Sequence, residues 1–384
     1  MDISSASFAY PQHNGSVRAE LAARLLSAPA LDSGFVLSTC LRVEVVVPEP
    51  EEALTQTLHA MFGELATDAQ PQIRHGERAL THIYRIAAGL ESPILGEQEI
   101  LTQFRQTLIR AEDAGQASGV FARALETAVA VGRQARELLP GSPHNSMAAV
   151  AAQAVGTADR VAVLGSGVMG TAVVDGLLLL PAPPCVTVVA RHPEKVGDRP
   201  GVQVLAFDEA PAVLAEFPAV ISATSAKHRL VDDESLVAAV ARRGKPLTLI
   251  DMAMPPDFAP SLSEGVTYFD IDDLARMADR RSRSDEADAL VQGAAAEAYR
   301  QYRDHHEVGP LIGQLMSSAD EIVDGVVKRF SGRLSNSGDE AALRQAVHTA
   351  TRSLLARPVS YLKGEDRAPE AIDVIADAFG VDDD

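Results

Sequence analysis

The chain has 384 residues, 46% hydrophobic and 23% charged, which suits a globular protein of two or three domains and excludes a disordered one. Its formal net charge of −19 gives no long-range attraction to a phosphate backbone, so a nucleic-acid partner requires local basic patches. Two distant cysteines exclude a disulfide framework, no apolar run reaches the ~20 residues that span a bilayer, and the first residues carry no leader pattern. A cytoplasmic protein without a membrane partner is expected.

In chain order, FVLST (35–39) and VEVVV (43–47) read as β-branched strands, the second closed by Pro48 and Pro50. Residues 51–65 have a helical apolar rhythm at Leu54, Leu58, Phe62 and Leu65. From Arg78 to Leu139 the chain reads as helix, broken near Gly89–Pro93 and again at Gly115–Gly119. LLPGSPHN (138–145) marks a domain boundary. Beyond it, RVAVLG (160–165), VTVVA (186–190), AVISAT (219–224) and LTLID (247–251) alternate with helical stretches, the pattern of a parallel, doubly wound sheet. Past Tyr268 the pattern is helical to about Tyr361, interrupted by SGRLSNSGDE (331–340), and it ends in a short acidic tail, GVDDD. Its long first helix has a polar middle, suited to a connector or a dimer element. Three domains are therefore expected: an α+β domain over 1–145, a Rossmann domain over 146–262 and a helical domain over 263–384. Two basic clusters, Arg280/Arg281/Arg283 and Lys328/Arg329/Arg333, are solvated surface or local phosphate contacts.

VAVLGSGVMG places Gly165, Gly167 and Gly170 in G-x-G-x-x-G spacing where an apolar strand gives way to a helix. The first glycine permits the tight turn, the second lets a pyrophosphate approach the backbone, and the third lets the helix pack on the strand. Ser166 lies within this loop. The next strand ends at Arg191, with no carboxylate for a ribose 2′-hydroxyl, so NADPH is expected over NADH. Thr224 and Ser225 follow a later strand and stand where the carboxyl edge of the sheet would line the cofactor crevice. Cys185 opens the second strand of this sheet and reads as a packed small residue. The histidines, His305 and His306 included, show no metal-ligand spacing.

LSTCLRVEV (37–45) and HIYRIAAGLESPILGEQEIL (82–101) together resemble the catalytic part of the glutamyl-tRNA reductase family. The likeness continues through ARALETAVAVGRQAR, the glycine loop, ISATS, IDMAMPPD and YFDIDDL, and so covers almost the whole chain. It implies NADPH-dependent reduction of glutamyl-tRNA to glutamate-1-semialdehyde through a cysteine thioester, the first step of tetrapyrrole synthesis. It also implies a homodimer held by the C-terminal helices, and glutamate-1-semialdehyde aminomutase as the partner that takes the labile product. By the same resemblance Cys40 is the nucleophile and His82 positions the ester or donates a proton, while Thr39, Arg42, Ser92 and Glu97 bind substrate. A thioester accepts hydride where a carboxylate does not, so the nucleophile divides one difficult step into two easier ones. An extended backbone from Cys40 to Arg42 would point both side chains to one face, letting the guanidinium either lower the thiol pKa or hold the substrate carboxylate.

The chain departs from the family pattern at four places, one of them Pro93, which directly follows Ser92 and restricts the backbone there. Leu41 replaces the usual asparagine, Glu99 replaces a glutamine, and the N-terminal stretch is short, with only His13, Arg18 and Glu20 as loose counterparts. Two other readings stay open on these grounds: a nucleotide-binding regulatory relative without thioester chemistry, and an NADPH dehydrogenase of a small carbonyl compound.

Overall fold

The computed structural model describes residues 2–139, 146–207, 210–226, 229–258, 265–278, 284–333, 337–364, 367–368 and 370–380. The expected boundary at 140–145, the basic cluster at 280–283, the middle of the loop at 334–336 and most of the acidic tail lie outside them. The chain forms two compact units, one ending at Ala296 and the other running from Glu297.

The first unit opens with β1 (Ser4–Ala9), α1 (Gly15–Leu25), β2 (Phe35–Thr39), β3 (Arg42–Val47), α2 (Glu51–Phe62), α3 (Leu65–Asp68) and β4 (Gln72–His75). The four strands make an antiparallel sheet in the order β2-β3-β1-β4. One of its two central strands, SSASFA, is not legible as a strand in the sequence because buried serines interrupt the apolar alternation. Phe8, Leu21, Val43, Val45, Leu54, Leu58 and Phe62 close a core between the sheet and α1 and α2. Helices α4 (Gly76–Ala88), α5 (Gln98–Asp113) and α6 (Gly119–Glu137) follow, as the two predicted breaks require. Between α4 and α5 the chain doubles back, and Gly96 donates its N–H to Gly89 O at 3.2 Å. This excursion carries Ser92 and Glu97.

Then come α7 (Met147–Ala154), β5 (Arg160–Leu164), α8 (Val168–Leu178), β6 (Cys185–Ala190), β7 (Val202–Ala206), α9 (Ala210–Glu216), β8 (Ala219–Ser222), α10 (Asp233–Arg243), β9 (Leu247–Asp251), β10 (Val266–Phe269) and α11 (Ile271–Met277). The strands form a wholly parallel sheet in the order β10-β9-β8-β5-β6-β7, which reverses direction at β5 and opens a crevice between β5 and β8. The sheet extends beyond residue 262, the expected edge of this domain, because β10 pairs in register with β9. Cys185 is exposed at the start of β6 and not packed, since its side chain falls outside the buried part of the strand.

Helix α12 (Asp285–Phe330) is 46 residues long and is followed by α13 (Ser337–Leu362) and α14 (Ala371–Phe379). Within the second unit, Val308, Leu311, Leu315, Leu355 and Leu362 form the core. Lys328, Arg329 and Arg333 are exposed there. No helix among the described residues is long and apolar enough to cross a membrane.

Candidate active site

Cys40 and Leu41 are the two residues of the turn joining β2 to β3, with Thr39 paired to Arg42 across the hairpin. The extended path expected from Cys40 to Arg42 is therefore wrong, because the hairpin reverses the chain between them. Among described non-glycine residues only Gln70 has a positive φ, so the turn is not one of the primed types that two-residue hairpins favour. Other contacts hold it: Tyr10 donates its N–H to Leu41 O at 2.9 Å, and Arg18 Nε donates to Cys40 O at 3.0 Å. Leu41 N–H donates to Thr39 Oγ1 at 3.3 Å.

Leu41 is 5% exposed, in one apolar cluster with Ile94, Met147, Ala151, Ile271 and Leu274. This departure from the family pattern thus joins a cluster that includes residues of α7 and α11, and the same side chain forms part of the wall beside Cys40. Cys40, half-buried, lines a cavity of about 20 Å³ with Thr39, Leu41, Arg42, Ser92, Glu97, Glu99, Met147 and Met169. Arg42 and Ser92 also line a larger polar cavity of about 230 Å³, where they join Ser7, Arg74, His82 and Arg85. The predicted residues are thus distributed over two adjoining cavities: Cys40, Thr39 and Glu97 on the small one, His82 on the large one, Arg42 and Ser92 on both.

Electrostatics separate the groups. Burial pushes the Cys40 thiol up to about 12; Glu97 adds to the rise, and Arg18 and then Arg42 oppose it. Burial likewise pushes Glu97 up to about 7, with a hydrogen bond from Ser92 opposing and Glu99 adding. The substituted glutamate at 99 thus acts on Glu97, with which it lines the Cys40 cavity. Arg136 fixes this segment by donating from Nη2 to Glu97 O at 2.9 Å and from Nη1 to Ala87 O at 2.7 Å.

Sequence reasoning missed Glu44, which is fully buried on β3. It accepts from Ser7 Oγ at 2.9 Å and Arg42 Nη1 at 3.3 Å on one oxygen, and faces His82 Nε2 at 3.2 Å on the other. Burial works to raise its pKa, yet His82, Arg42 and Ser7 together hold it below the usual carboxylate range. Arg42 also donates to Glu91 O. Arg42 and His82 are thus aimed by one buried carboxylate. The available signal was a lone charge inside an otherwise apolar strand.

At the carboxyl edge of the parallel sheet the glycine loop lines a crevice of about 430 Å³ with Ser166, Arg191, Thr224 and Ser225. Gly165 has φ +106°, and a Cβ there would lie 2.7 Å from Ala223 O; one on Gly170 would lie 2.1 Å from Gly165 O. A Cβ on Gly167 would meet nothing within 4 Å, so this backbone faces open space at the start of α8, as approach by a pyrophosphate demands. Arg191 is exposed directly after β6. Thr224 is anchored from below, donating through Oγ1 to Asp257 at 2.8 Å, while Ser222 donates to the same carboxylate at 2.5 Å. Asp251 accepts from the Ala253 and Phe258 N–H groups at 3.0 Å each. Burial pushes it up to about 7, with those two N–H groups opposing and Asp257 adding. Met169, from α8, lines both this crevice and the Cys40 cavity.

Three family models match in succession: the N-terminal domain of glutamyl-tRNAGlu reductase over residues 6–138, shikimate/quinate 5-dehydrogenase over 149–277, and the glutamyl-tRNAGlu reductase dimerisation domain over 286–381. The middle match supports a nicotinamide dinucleotide site in the crevice, and the last supports a homodimer. Glutamyl-tRNA reductase from Roseiflexus sp. (strain RS-1) is 29% identical over 383 residues, covering 92% of this chain and 89% of the relative. The solved glutamyl-tRNA reductase from Methanopyrus kandleri aligns over 98% of this chain and 97% of that one at 24% identity, with a TM-score of 0.46. Glutamyl-tRNA reductase from Thermus thermophilus is 32% identical over 294 residues, covering 72% of this chain and 73% of the relative. On that identity and coverage, with matching family models at both ends, the chain belongs to the glutamyl-tRNA reductase family.

Proposed function

We propose that this chain reduces the glutamyl group of glutamyl-tRNA to glutamate-1-semialdehyde with NADPH, using Cys40 as nucleophile. The observation that carries the reading is the Cys40 turn, whose small cavity shares Arg42 and Ser92 with the large polar cavity and Met169 with the nucleotide crevice.

The thiol is protonated at neutral pH, so its proton needs an acceptor as the S–C bond forms. Glu97, held near neutrality on the same cavity, suits that task. Sγ attacks the ester carbonyl, the C–S bond forms as the bond to the terminal ribose breaks, and His82 supplies the proton that the departing ribose oxygen takes up. Arg42 receives the glutamate side-chain carboxylate, while Thr39 and Ser92 orient the acyl group. Bound NADPH supplies the hydride that the thioester carbonyl accepts. Glu97 can then return a proton as the C–S bond breaks and the aldehyde leaves. Gly165, Ser166 and Gly167 would hold the pyrophosphate, with Gly170 letting α8 pack closely beneath them, Thr224 would line the same crevice, and Arg191 would meet the 2′-phosphate that distinguishes NADPH from NADH. In the large cavity Arg85 is paired with Glu91 and Asp288 and Arg42 with Glu44, so among the described residues lining it Arg74 is the arginine left to meet a phosphate at the aminoacyl end of the tRNA. The cytoplasm, which keeps both cysteines reduced, is the proposed compartment, and the labile aldehyde makes transfer to the aminomutase the next step.

A single-turnover reaction with radiolabelled glutamyl-tRNA tests this. Label on Cys40 without NADPH, released as semialdehyde once NADPH is added, is the expected result. Absence of label and product with NADPH binding intact would establish the regulatory reading instead. Reduction of free small carbonyl compounds without tRNA would favour a dehydrogenase.

A further inference from the structure

Arg18 lies on α1 with a side chain that is 0% exposed, far from any solvated surface role. Its guanidinium makes three contacts that no simpler side chain can reproduce. Nε donates to Cys40 O at 3.0 Å, Nη1 donates to His13 O, and Nη2 donates to Asp272 Oδ1 at 2.5 Å. Asp272 is buried on α11, which follows the last strand of the nucleotide-binding sheet. Its second oxygen accepts the Gly15 N–H, 2.9 Å away, at the first turn of α1. A capping box between Asp270 and Asp273 fixes the start of α11, so Asp272 is presented from a rigid support. A continuous polar strut therefore runs from the nucleotide-binding part of the first unit, through Asp272 and Arg18, to the peptide group of the nucleophile.

We infer that Arg18 is a positioning residue for Cys40, and that Asp272 holds it in place so that the seating of α11 sets both the placement and the reactivity of the thiol. This rests on the reading of Cys40 as the nucleophile. The charged groups facing Cys40 are Arg18 from α1, Arg42 from β3, Glu97 from the excursion before α5 and Glu99 from α5 itself; α7 and α8 present Met147 and Met169. Of the two cations, Arg18 opposes the rise in the thiol pKa more than Arg42 does. The strut also explains why the turn needs no primed geometry: a buried cation ties the carbonyl of Cys40 while Leu41 anchors the other side of the turn.

The test uses the full chain in a Cys185→Ser background, so that the exposed second thiol does not compete. Two readouts are taken: the pH profile of Cys40 alkylation by iodoacetamide, and the rate of thioester formation from glutamyl-tRNA without NADPH. Arg18→Met should move the alkylation profile to higher pH by about one unit and slow thioester formation at least tenfold. Arg18→Lys keeps the charge but not the three-way fork, so the profile should return toward that of the parent while thioester formation stays slow. Asp272→Asn should slow thioester formation in the same sense with NADPH binding retained.

An unmoved alkylation profile in Arg18→Met would reduce Arg18 to a structural residue. If that variant does not fold, Arg18→Lys decides alone: an unchanged thioester rate overturns the positioning role, and a slowed rate on an unshifted profile supports it. An unaffected rate in Asp272→Asn removes Asp272 from the strut. Failure of the underlying reading looks different. Cys40→Ser would then still reduce glutamyl-tRNA, whereas the alkylation results concern the thiol whether or not it is acylated.

Discussion

Restoring the family's asparagine at position 41 should damage this protein. Leu41 is 5% exposed and buried in an apolar cluster with Ile94, Met147, Ala151 and Ile271. Removing a leucine so enclosed forfeits roughly 1.5–3 kcal/mol of burial. The amide that replaces it finds apolar neighbours, and an unsatisfied buried polar group costs about 1–3 kcal/mol more. Leu41→Asn should therefore lose about 2.5–6 kcal/mol. Urea unfolding followed by far-ultraviolet circular dichroism reads this as a lower midpoint, by about 1 M or more for a slope of a few kcal/mol per M. Thioester formation at low temperature should fall in parallel, because the Cys40 turn loses its anchor on α7 and α11. An unchanged midpoint with faster thioester formation would refute the reasoning: Leu41 would then be a defect in the site and not a packing element.

Arg191→Ala should reduce the preference for NADPH over NADH by about ten- to a hundredfold, the worth of one charge-assisted contact of about 1.5–3 kcal/mol, measured as the ratio of kcat/KM values for the two cofactors. Glu44→Gln removes the charge shared by Arg42 and His82 and should lower kcat about a hundredfold, while NADPH binding, followed by fluorescence titration, is unaffected. Because the folded-state pKa of Glu44 lies below its ordinary value, its contribution to stability is present above that ordinary value, near 4.5, and is lost as the pH falls through the folded value. The stability gap between parent and Glu44→Gln should therefore close in acid. Asp251 has the opposite sign. Its carboxyl is raised from 3.8 to about 7, so the folded state keeps a proton that the unfolded state gives up, and stability declines as the pH rises through that window. Urea midpoints of Asp251→Asn should lack this decline, of about 1.4 kcal/mol per pH unit; the same slope in variant and parent would remove Asp251 as its source.

What could be read from the sequence, and what could not, follows from how far each residue's partners lie along the chain. The glycine loop was legible because its reasons are local: Gly165, Gly167 and Gly170 stand within six residues of one another at a strand–helix junction. Strands β5, β6, β8 and β9 were legible because burial on both faces leaves a continuous apolar run. Strand β1 was not, since its serines answer distant groups: Ser7 donates to Glu44, and Ser4 lies 3.3 Å from His75. The site divides in the same way. Cys40 and Arg42 are visible in one short motif, but the hairpin that reverses the chain between them is not, because neither turn residue is a glycine or an asparagine. Glu44 depends on Ser7 and His82, 37 and 38 residues away, and Arg18 depends on Asp272 at a separation of 254. Those contacts set the electrostatics and the placement of the residues proposed to react, which the motifs alone do not show. The departures at Leu41 and Glu99 show the same division. In the motif both look like losses beside the nucleophile. In the fold, Leu41 joins an apolar cluster and also lines the Cys40 cavity, while Glu99 raises the pKa of Glu97. A substitution beside the proposed nucleophile is therefore weighed by what its side chain meets, and in this chain Leu41 is both part of an apolar cluster and part of the wall of the Cys40 cavity.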